Sequence, residues 1–138
     1  MRIVLDTNVL ISAGLKPGGL EGRVLSLVLS GELTAVATEW TWGEYESVLR
    51  RAKFSGIREW VEGMLRDLEA LLDWCVVHER IAVAEDEADN RFLECAIRGE
   101  CSYLITGNCR HFPSEHLGVR VRNARQFLVE TGRLVELG

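Results

Sequence analysis

Residues 3–8 read Ile3-Val4-Leu5-Asp6-Thr7-Asn8, so a wholly apolar run passes directly into three polar residues. A short run without polar residues is typical of a parallel β-strand that is covered on both faces. Asp6 follows this run at the point where the strand ends. An ionised carboxylate beside a dry core is costly unless it is paired, hydrogen-bonded or bound to a metal. Asp6 is therefore the first candidate functional residue, although it would also serve as an N-cap for the helix that follows.

Strands and helices alternate along the rest of the chain. Apolar runs predict strands at 34–37, 74–77, 103–105 and 119–121. Apolar residues at helical spacing predict helices at 8–13, 20–30, 39–51, 56–72, 87–98 and 124–131. This alternation predicts an α/β fold, a three-layer α/β/α sandwich with a central parallel sheet. The 138 residues are expected to form a single domain, 1–138.

The predicted helix at 20–30 is apolar on every side. A surface helix would carry one polar face, so we expect this helix to be buried, in the core or against a partner. The four tryptophans of the chain are further candidates for an interface, with the core as the alternative location for most of them.

The charge of the chain argues against a protein that coats nucleic acid by charge alone, because the net charge is −5. The charge is uneven, and residues 101–138 carry five basic against three acidic side chains. No apolar run is long enough to span a membrane, and the N-terminus shows no signal-peptide pattern. We expect a soluble, cytoplasmic protein with no membrane partner.

The four cysteines contain no C-x-x-C pair and are expected to be reduced, buried or half-buried thiols: Cys75, Cys95, Cys101 and Cys109. Cys101, Cys109 and His111 are close in sequence, but the short paired spacings of structural zinc sites are absent.

Two further carboxylates fall on the inward faces of predicted helices. Asp89 is in line with Phe92 and Leu93 at the start of one helix, and Glu44 shares a stripe with Trp40 on another. Each also has a purely structural interpretation, because Asp86-x-x-Asp89 and Thr41-x-x-Glu44 both fit capping patterns. The strand at 103–105 runs into Thr106-Gly107-Asn108, which adds a hydroxyl and an amide. In a parallel sheet such groups collect at the carboxyl ends of the strands.

Four blocks of the sequence together resemble the PIN-domain family. The opening Asp6-Thr7-Asn8-Val9-Leu10-Ile11-Ser12-Ala13 resembles the first block of that family, and residues 38–49, 86–96 and 103–108 resemble the next three in order and spacing. The resemblance covers nearly the whole chain. Within the family, it points to the toxin components that are similar to VapC.

The resemblance implies an endoribonuclease that depends on Mg²⁺ or Mn²⁺ and hydrolyses RNA phosphodiester bonds. It implies acidic metal ligands at Asp6, Glu44 and Asp89, which with Asn108 make up the predicted catalytic set. The residues expected to support the site are Thr7, Asn8, Thr106, Asp86 and His111. The arginines expected to contact RNA are Arg110, Arg50 and Arg51.

Carboxylates suit this role because Mg²⁺ prefers oxygen ligands and keeps several waters. Two positions depart from the common pattern of the family, since Asn108 and Ser102 stand where Asp is frequent. A neutral Asn108 lowers the charge of the site, so we expect one firmly held metal and a second that arrives with substrate. His111 is a candidate general acid or phosphate contact, with a structural role as the alternative.

Three alternatives to the nuclease differ from it in the residues that they require or explain. A receiver-type phosphorylation module would need a late lysine, and the only lysines are Lys16 and Lys53. A D-x-D phosphatase would need an acid where Asn8 stands. The stronger alternative is a catalytically silent PIN-like domain that binds RNA or protein, which Asn108 and Ser102 favour. The resemblance further implies a cognate antitoxin and a homodimer as partners.

Overall fold

Within residues 1–136, six strands form one sheet in the spatial order 73–74, 34–37, 2–5, 103–105, 119–122 and 115–116, and six helices pack around it. This computed structural model describes residues 1–136. The strands are β1 Arg2–Leu5, β2 Thr34–Ala37, β3 Asp73–Trp74, β4 Tyr103–Ile105, β5 Glu115–His116 and β6 Val119–Arg122. The helices are α1 Thr7–Leu15, α2 Leu20–Leu29, α3 Glu39–Leu49, α4 Arg58–Leu71, α5 Glu87–Arg98 and α6 Ala124–Glu130. Short 3₁₀ segments cover Ala52–Ile57 and Cys109–His111.

The centre of the sheet is parallel, as predicted. Strand β1 pairs in parallel with β2 and with β4, and the register places Leu5 opposite Ile105. One edge of the sheet adds an antiparallel pair that was not predicted, because β5 runs antiparallel to β6. The two strands are joined by a tight turn at Leu117 and Gly118, both with positive φ. A two-residue connection allows only antiparallel pairing.

Several predicted boundaries were displaced by local packing. The strand predicted at 74–77 is limited to Asp73–Trp74 at the sheet edge. The helix predicted at 39–51 ends at Leu49, and the next one begins at Arg58 rather than at residue 56. Between them the 3₁₀ segment buries Phe54, whose backbone is not helical. Burial of this one ring outweighs the helical propensity of its neighbours.

Helix α2 is covered by other parts of the same chain. Its buried residues are Val24, Leu25 and Val28, and the helix packs on α1, α4 and α6. The apolar character of this segment is therefore explained within the chain and requires no partner. None of the helices described by the structure combines the length and hydrophobicity that crossing a bilayer would require.

The carboxyl ends of β1 and β4 meet at one edge of the sheet. The backbone amide of Asp6 donates to the carbonyl of Ile105 at 2.9 Å, and the amide of Thr106 donates to the carbonyl of Arg122 at 3.0 Å. Asp6 after β1, Thr106 after β4 and the last residue of β6 are thereby held side by side. This edge carries the candidate site.

Candidate active site

Asp6 lies at the carboxyl end of β1 and is 7% exposed. Its Oδ2 accepts a hydrogen bond from Thr106 Oγ1 at 2.7 Å and one from Asn8 Nδ2 at 3.3 Å. Asp6 occupies the N-cap position of α1, but its side chain makes no capping hydrogen bond. The capping interpretation therefore does not account for this buried carboxylate.

Capping explains Asp86 but neither of the other two predicted acids. Asp86 is the N-cap of α5, and its carboxylate accepts from the amide of Ala88 at 2.8 Å. The capping box of α3 consists of Thr38 and Thr41 and does not include Glu44. The alternative interpretation of Asp89 and Glu44 as capping residues is therefore not confirmed.

Asp89 projects from the first turn of α5 with a side chain that is 13% exposed. Its Oδ2 is buried and has no hydrogen-bond partner within residues 1–136. The imidazole Nδ1 of His111 lies 3.7 Å from this oxygen. A buried carboxylate oxygen without a hydrogen-bond partner costs free energy of folding. Asp89 Oδ2 is therefore available to bind a hydrogen-bond donor or a cation.

Both Asp6 and Asp89 hold a proton more tightly than an ordinary carboxyl group, because their pKa values are raised. Burial raises the pKa of Asp89 to about 6, and the negative charges of Asp6 and Asp86 add to the effect, whereas His111 opposes it. Burial also raises the pKa of Asp6, while the hydrogen bond from Thr106 and the nearby amides of Thr7 and Asn8 lower it. Perturbed carboxylates of this kind, close enough to interact, are typical of functional sites.

A cleft of about 570 Å³ opens beside Asp89. Its lining residues come from the segment before α5 and from the 3₁₀ turn after β4, and include Asp86, Asp89, Arg110 and His111. The cleft therefore presents carboxylates on one wall and an arginine and a histidine on the other. This combination suits a phosphate held between a cation at the acids and the basic side chains.

A smaller cavity of about 240 Å³ is lined in part by Asn8, Thr106 and Asn108. Asn8 Oδ1 accepts from the amide of Gly107 at 2.9 Å, and the amide of Asn108 donates to Thr106 Oγ1 at 3.0 Å. The turn after β4 is thus held against the start of α1. Of the remaining supporting residues, Thr7 is buried with an Oγ1 that has no partner in the described part of the chain.

Glu44 is only half-buried and lines neither cavity. Its neighbour Tyr45 takes the inward position on α3 and donates its hydroxyl to the carbonyl of Leu5, directly before Asp6. Consecutive helical residues are turned by about 100°, so Glu44 lies to the side of that contact. Tyr45 therefore docks α3 on the end of β1, a role that the sequence analysis missed.

The predicted group of three carboxylates is not preformed. Within residues 1–136, no group of three His, Cys, Asp or Glu side chains is arranged to hold a metal ion. The charge of Asp6 is close enough to Asp89 to raise its pKa. The partnerless Oδ2 of Asp89 and the buried carboxylate of Asp6 nevertheless fit a hard divalent cation, because both supply oxygen ligands with uncompensated charge.

The structure places Ser102 away from the candidate site and pairs Arg50 with acidic residues of the same chain. Ser102 precedes β4, and its amide donates to the carbonyl of Arg2 at the opposite, amino end of the strands. Because Ser102 is remote from the carboxyl edge, an acid there would not complete this site. Arg50 directs its guanidinium to Glu62 and Glu46 at 2.9 Å, so its donors are used within the chain.

Asn90 holds in place the segment before α5 that lines part of the cleft, a role that was not predicted from the sequence. Asn90 is fully buried, and its side chain bonds the amides of Val83 and Ala84 and the carbonyl of Ala84. Glu94 is also buried and accepts from the amide of Ile81 at 2.8 Å. The sequence carried a signal for this role, because Asn90 stands on the inward face of an amphipathic helix, where an apolar residue is expected.

The fold and the site define a class of α/β domains that carry buried carboxylates at the carboxyl edge of a parallel sheet. Within that class, the chain belongs to the PIN domain family, whose model matches residues 2–110. The four sequence blocks named above lie within this match, so the predicted family is confirmed.

Two individual proteins are similar to this chain. Uncharacterized protein MJ1680 of Methanocaldococcus jannaschii is 26% identical over 118 residues, which covers 78% of this chain and 71% of that protein. A chain in the crystal structure of VapBC2 from Rickettsia felis, bound to a DNA fragment from their promoter, superposes with a TM-score of 0.56. That chain is 16% identical, and the match covers 89% of this chain and 98% of that one. The superposition confirms the PIN-like fold.

Proposed function

We propose that this protein is an endoribonuclease that uses Mg²⁺ or Mn²⁺ to hydrolyse RNA phosphodiester bonds and acts as the toxin of a toxin–antitoxin pair. The observation that carries the proposal is that the buried Asp6 lies close enough to the partly buried Asp89 to raise its pKa, while Asp89 Oδ2 has no hydrogen-bond partner within residues 1–136. PIN-family membership supports the same chemistry.

In this proposal Asp6 and Asp89 hold the cation, and Glu44 joins them from α3. A bound divalent ion would supply a water of lowered pKa and would offset negative charge on the phosphate. Thr106 and Asn8 keep the Asp6 carboxylate in one orientation through their hydrogen bonds. This restraint limits the reorganisation needed when a ligand binds.

The basic side chains of the cleft would act on the RNA itself. Arg110 lines the cleft and offers a planar fork to a phosphate. His111 is 61% exposed at the same wall, with Nδ1 directed to Asp89, so it could give a proton to the leaving oxygen or contact a phosphate. The exposed Arg51 would be a further phosphate contact, and Asn108, which lines the smaller cavity, would complete the catalytic set as a neutral group.

Loss of activity in single-residue variants tests the catalytic proposal. The parent is expected to cleave single-stranded RNA with Mn²⁺, and Asp6→Asn and Asp89→Asn to lose at least about a hundredfold in rate, because each removes a charged ligand at nearly constant shape. Glu44→Gln should lose activity as well. Asp67→Asn, on the exposed face of α4, is the matched control and should cleave normally.

Activity that survives in Asp6→Asn would point to a contaminating nuclease and would overturn the proposal. The number of bound ions is measured by calorimetry with and without a non-cleavable RNA analogue. We expect one ion on the free protein and a second only with the analogue, because Asn108 contributes no charge.

A catalytically silent module that binds RNA or protein is the second candidate. It is favoured by the neutral Asn108 and by the lack, in the described part of the chain, of a ready group of three ligands. This candidate predicts RNA or partner binding without cleavage in any divalent ion. The same assay, combined with an RNA-binding measurement, distinguishes the two candidates.

We further propose a cognate antitoxin protein, a homodimer and a cytoplasmic location. The structural similarity to a chain of VapBC2, a complex solved with promoter DNA, supports an antitoxin partner. The product of a neighbouring gene should co-purify with this chain and inhibit its activity. Light scattering of the purified protein should give twice the monomer mass, and a monomeric mass would contradict the dimer.

A further inference from the structure

The smaller cavity next to the candidate site is lined by polar side chains from three parts of the chain. They belong to α1, to α2 and to the turn after β4: Asn8, Ser12, Glu21, Thr106 and Asn108. Asn8 Nδ2 and Thr106 Oγ1 both donate to Oδ2 of Asp6. A ligand in this cavity would therefore lie against the same side chains that hold the buried acid.

The smaller cavity differs from the larger cleft in charge. The larger cleft joins acidic with basic side chains, including Arg110 and His111, whereas no cationic side chain is among the described residues that line the smaller cavity. Its polar groups are amides, hydroxyls and the carboxylate of Glu21. A phosphate would be repelled by this carboxylate, but an uncharged ring with N–H donors would be bound by it. The lining therefore suits the base of a nucleotide better than its phosphate.

Three of the lining side chains can form hydrogen bonds with a ligand. Asn108 precedes the 3₁₀ turn, but its side chain makes no capping hydrogen bond there. The carboxylate of Glu21 forms no ion pair within residues 1–136. Ser12 is half-buried and lies one turn after Asn8 on the same face of α1. The cavity thus offers a carboxamide, a carboxylate and a hydroxyl.

The position of Glu21 is fixed by the loop that precedes α2. The amide of Gly19 donates to the carbonyl of Lys16 at 2.9 Å, which closes the loop. The carbonyl oxygen of Pro17 approaches Gly22 so closely that a Cβ on Gly22 would lie 2.7 Å from it. The first turn of α2, which contains Glu21, is therefore packed against the loop. A backbone that is already ordered limits the entropy lost when the side chain binds a ligand.

A carboxylate distinguishes guanine from the other bases of RNA. Guanine has two adjacent donors, N1–H and the N2 amino group, so both oxygens of one carboxylate can accept from the same base. In adenine, cytosine and uracil, each donor stands next to an unprotonated acceptor that would repel the second oxygen. The hydroxyl of Ser12 and the carboxamide of Asn108 supply donors for O6 of guanine.

We propose that the smaller cavity binds the guanine base of a nucleotide next to the phosphate that is cleaved, with Glu21 accepting from N1–H and N2 and Ser12 donating to O6. The inference rests on the proposed ribonuclease function for the choice of RNA as ligand, and it adds a base preference to that function. A cavity of about 240 Å³ accommodates one purine base. Single-stranded RNA supplies it most readily, because its bases can turn out of the stack.

Binding without cleavage tests this cavity separately from the catalytic proposal. The full-length protein is titrated in EDTA with fluorescent oligouridine hexamers that carry one central guanosine, inosine or adenosine. The guanosine hexamer should bind at least about tenfold more tightly than the adenosine hexamer, since a bidentate base contact gives discrimination of this order. Inosine lacks the N2 amino group, so its hexamer should bind about fivefold more weakly than the guanosine hexamer.

Variants show whether the preference comes from Glu21. Glu21→Gln should reduce the preference for guanosine to less than about twofold, because the carboxamide keeps only one acceptor oxygen. Glu59→Gln, the matched control, changes an acid in the first turn of α4 and should keep the preference of the parent. Ser12→Ala should weaken binding of the guanosine hexamer and leave the adenosine hexamer unaffected.

The outcomes separate this proposal from the nuclease proposal. Absence of binding, equal affinity for the hexamers, or an unchanged preference in Glu21→Gln would each overturn the guanine site, even if the protein cleaves RNA with Mn²⁺. A preference for guanosine that depends on Glu21, in a protein that cleaves no RNA with Mn²⁺, would support the site and overturn the nuclease function instead.

Discussion

Thr106 Oγ1 donates a 2.7 Å hydrogen bond to Asp6 Oδ2 across 100 residues of sequence. The same hydroxyl oxygen accepts from the amide of Asn108, so it connects the turn after β4 to the carboxylate after β1. The contact requires β1 and β4 to be neighbours, which the register of Leu5 with Ile105 provides. Thr106 therefore positions the buried acid, and several measurable properties depend on it.

Thr106→Val should lower stability by about 1–3 kcal/mol, because it leaves both the Asp6 carboxylate and the Asn108 amide without their buried partner. The pKa of Asp6 should rise further, since the Thr106 hydrogen bond lowers it in the parent. Urea unfolding measures the first effect, and the acid limb of the pH–rate profile, displaced to higher pH, measures the second. Thr106→Ser should restore both, and a Val variant equal to the parent would contradict the positioning role.

Asp89→Asn should stabilise the metal-free protein above pH 6. Burial raises the pKa of Asp89 from 3.8 to about 6, so between these values the folded chain retains a proton that the unfolded chain has released. Stability of the parent therefore falls as pH rises through this window and remains lower above it. Asp89→Asn has no carboxyl that titrates at this position. We therefore expect its free energy of unfolding to exceed that of the parent by about 1 kcal/mol at neutral pH and to equal it near pH 4. Thermal unfolding in EDTA across the pH range would detect it, with Asp67→Asn showing no such gain.

Asn90→Ala should cost about 2–3 kcal/mol, because two backbone amides and one carbonyl lose their buried partner. The segment before α5 should then open more often, and hydrogen exchange at Val83 and Ala84 should accelerate more than exchange in the central strands. Asn108→Ala, at an exposed position, is the control and should change stability by less than about 0.5 kcal/mol. Unchanged exchange at these two amides would show that Asn90 does not hold the segment.

Arg110 and Arg50, both expected from the sequence to contact RNA, should behave differently. Arg110 lines the acidic cleft, whereas Arg50 pairs with Glu46 and Glu62 on the α3–α4 surface. Arg110→Ala should weaken RNA binding about tenfold and reduce its salt dependence. Arg50→Ala should leave RNA affinity unchanged and cost at most about 1 kcal/mol of stability, since its ion pairs are exposed. Filter binding at two salt concentrations measures the RNA affinity of both variants. A larger loss of affinity in Arg50→Ala than in Arg110→Ala would contradict the assignment.

Much of the fold was readable from local patterns. The apolar run before Asp6 and the helical spacing after Asp89 each indicate the element they form, because strand and helix periodicities are local properties of the chain. Boundaries were less accurate where a tertiary contact competed with propensity, as at Phe54. The antiparallel edge at Glu115–His116 was missed because a two-residue strand carries too little pattern to recognise.

The sequence by itself determined the alternation of strands and helices, the family, and the placement of Asp6 and Thr106 at strand ends. Tertiary structure alone decided which polar groups meet: Asp6 with Thr106, Asp89 with His111, and Asn90 with the backbone amides of Val83 and Ala84. It also placed Ser102 at the opposite end of the strands from the site and engaged Arg50 in ion pairs. The physical reason is that periodicity fixes the direction of a side chain only relative to its own helix or strand. Contacts between distant elements depend on how those elements pack, and that is set by the shape of the whole core.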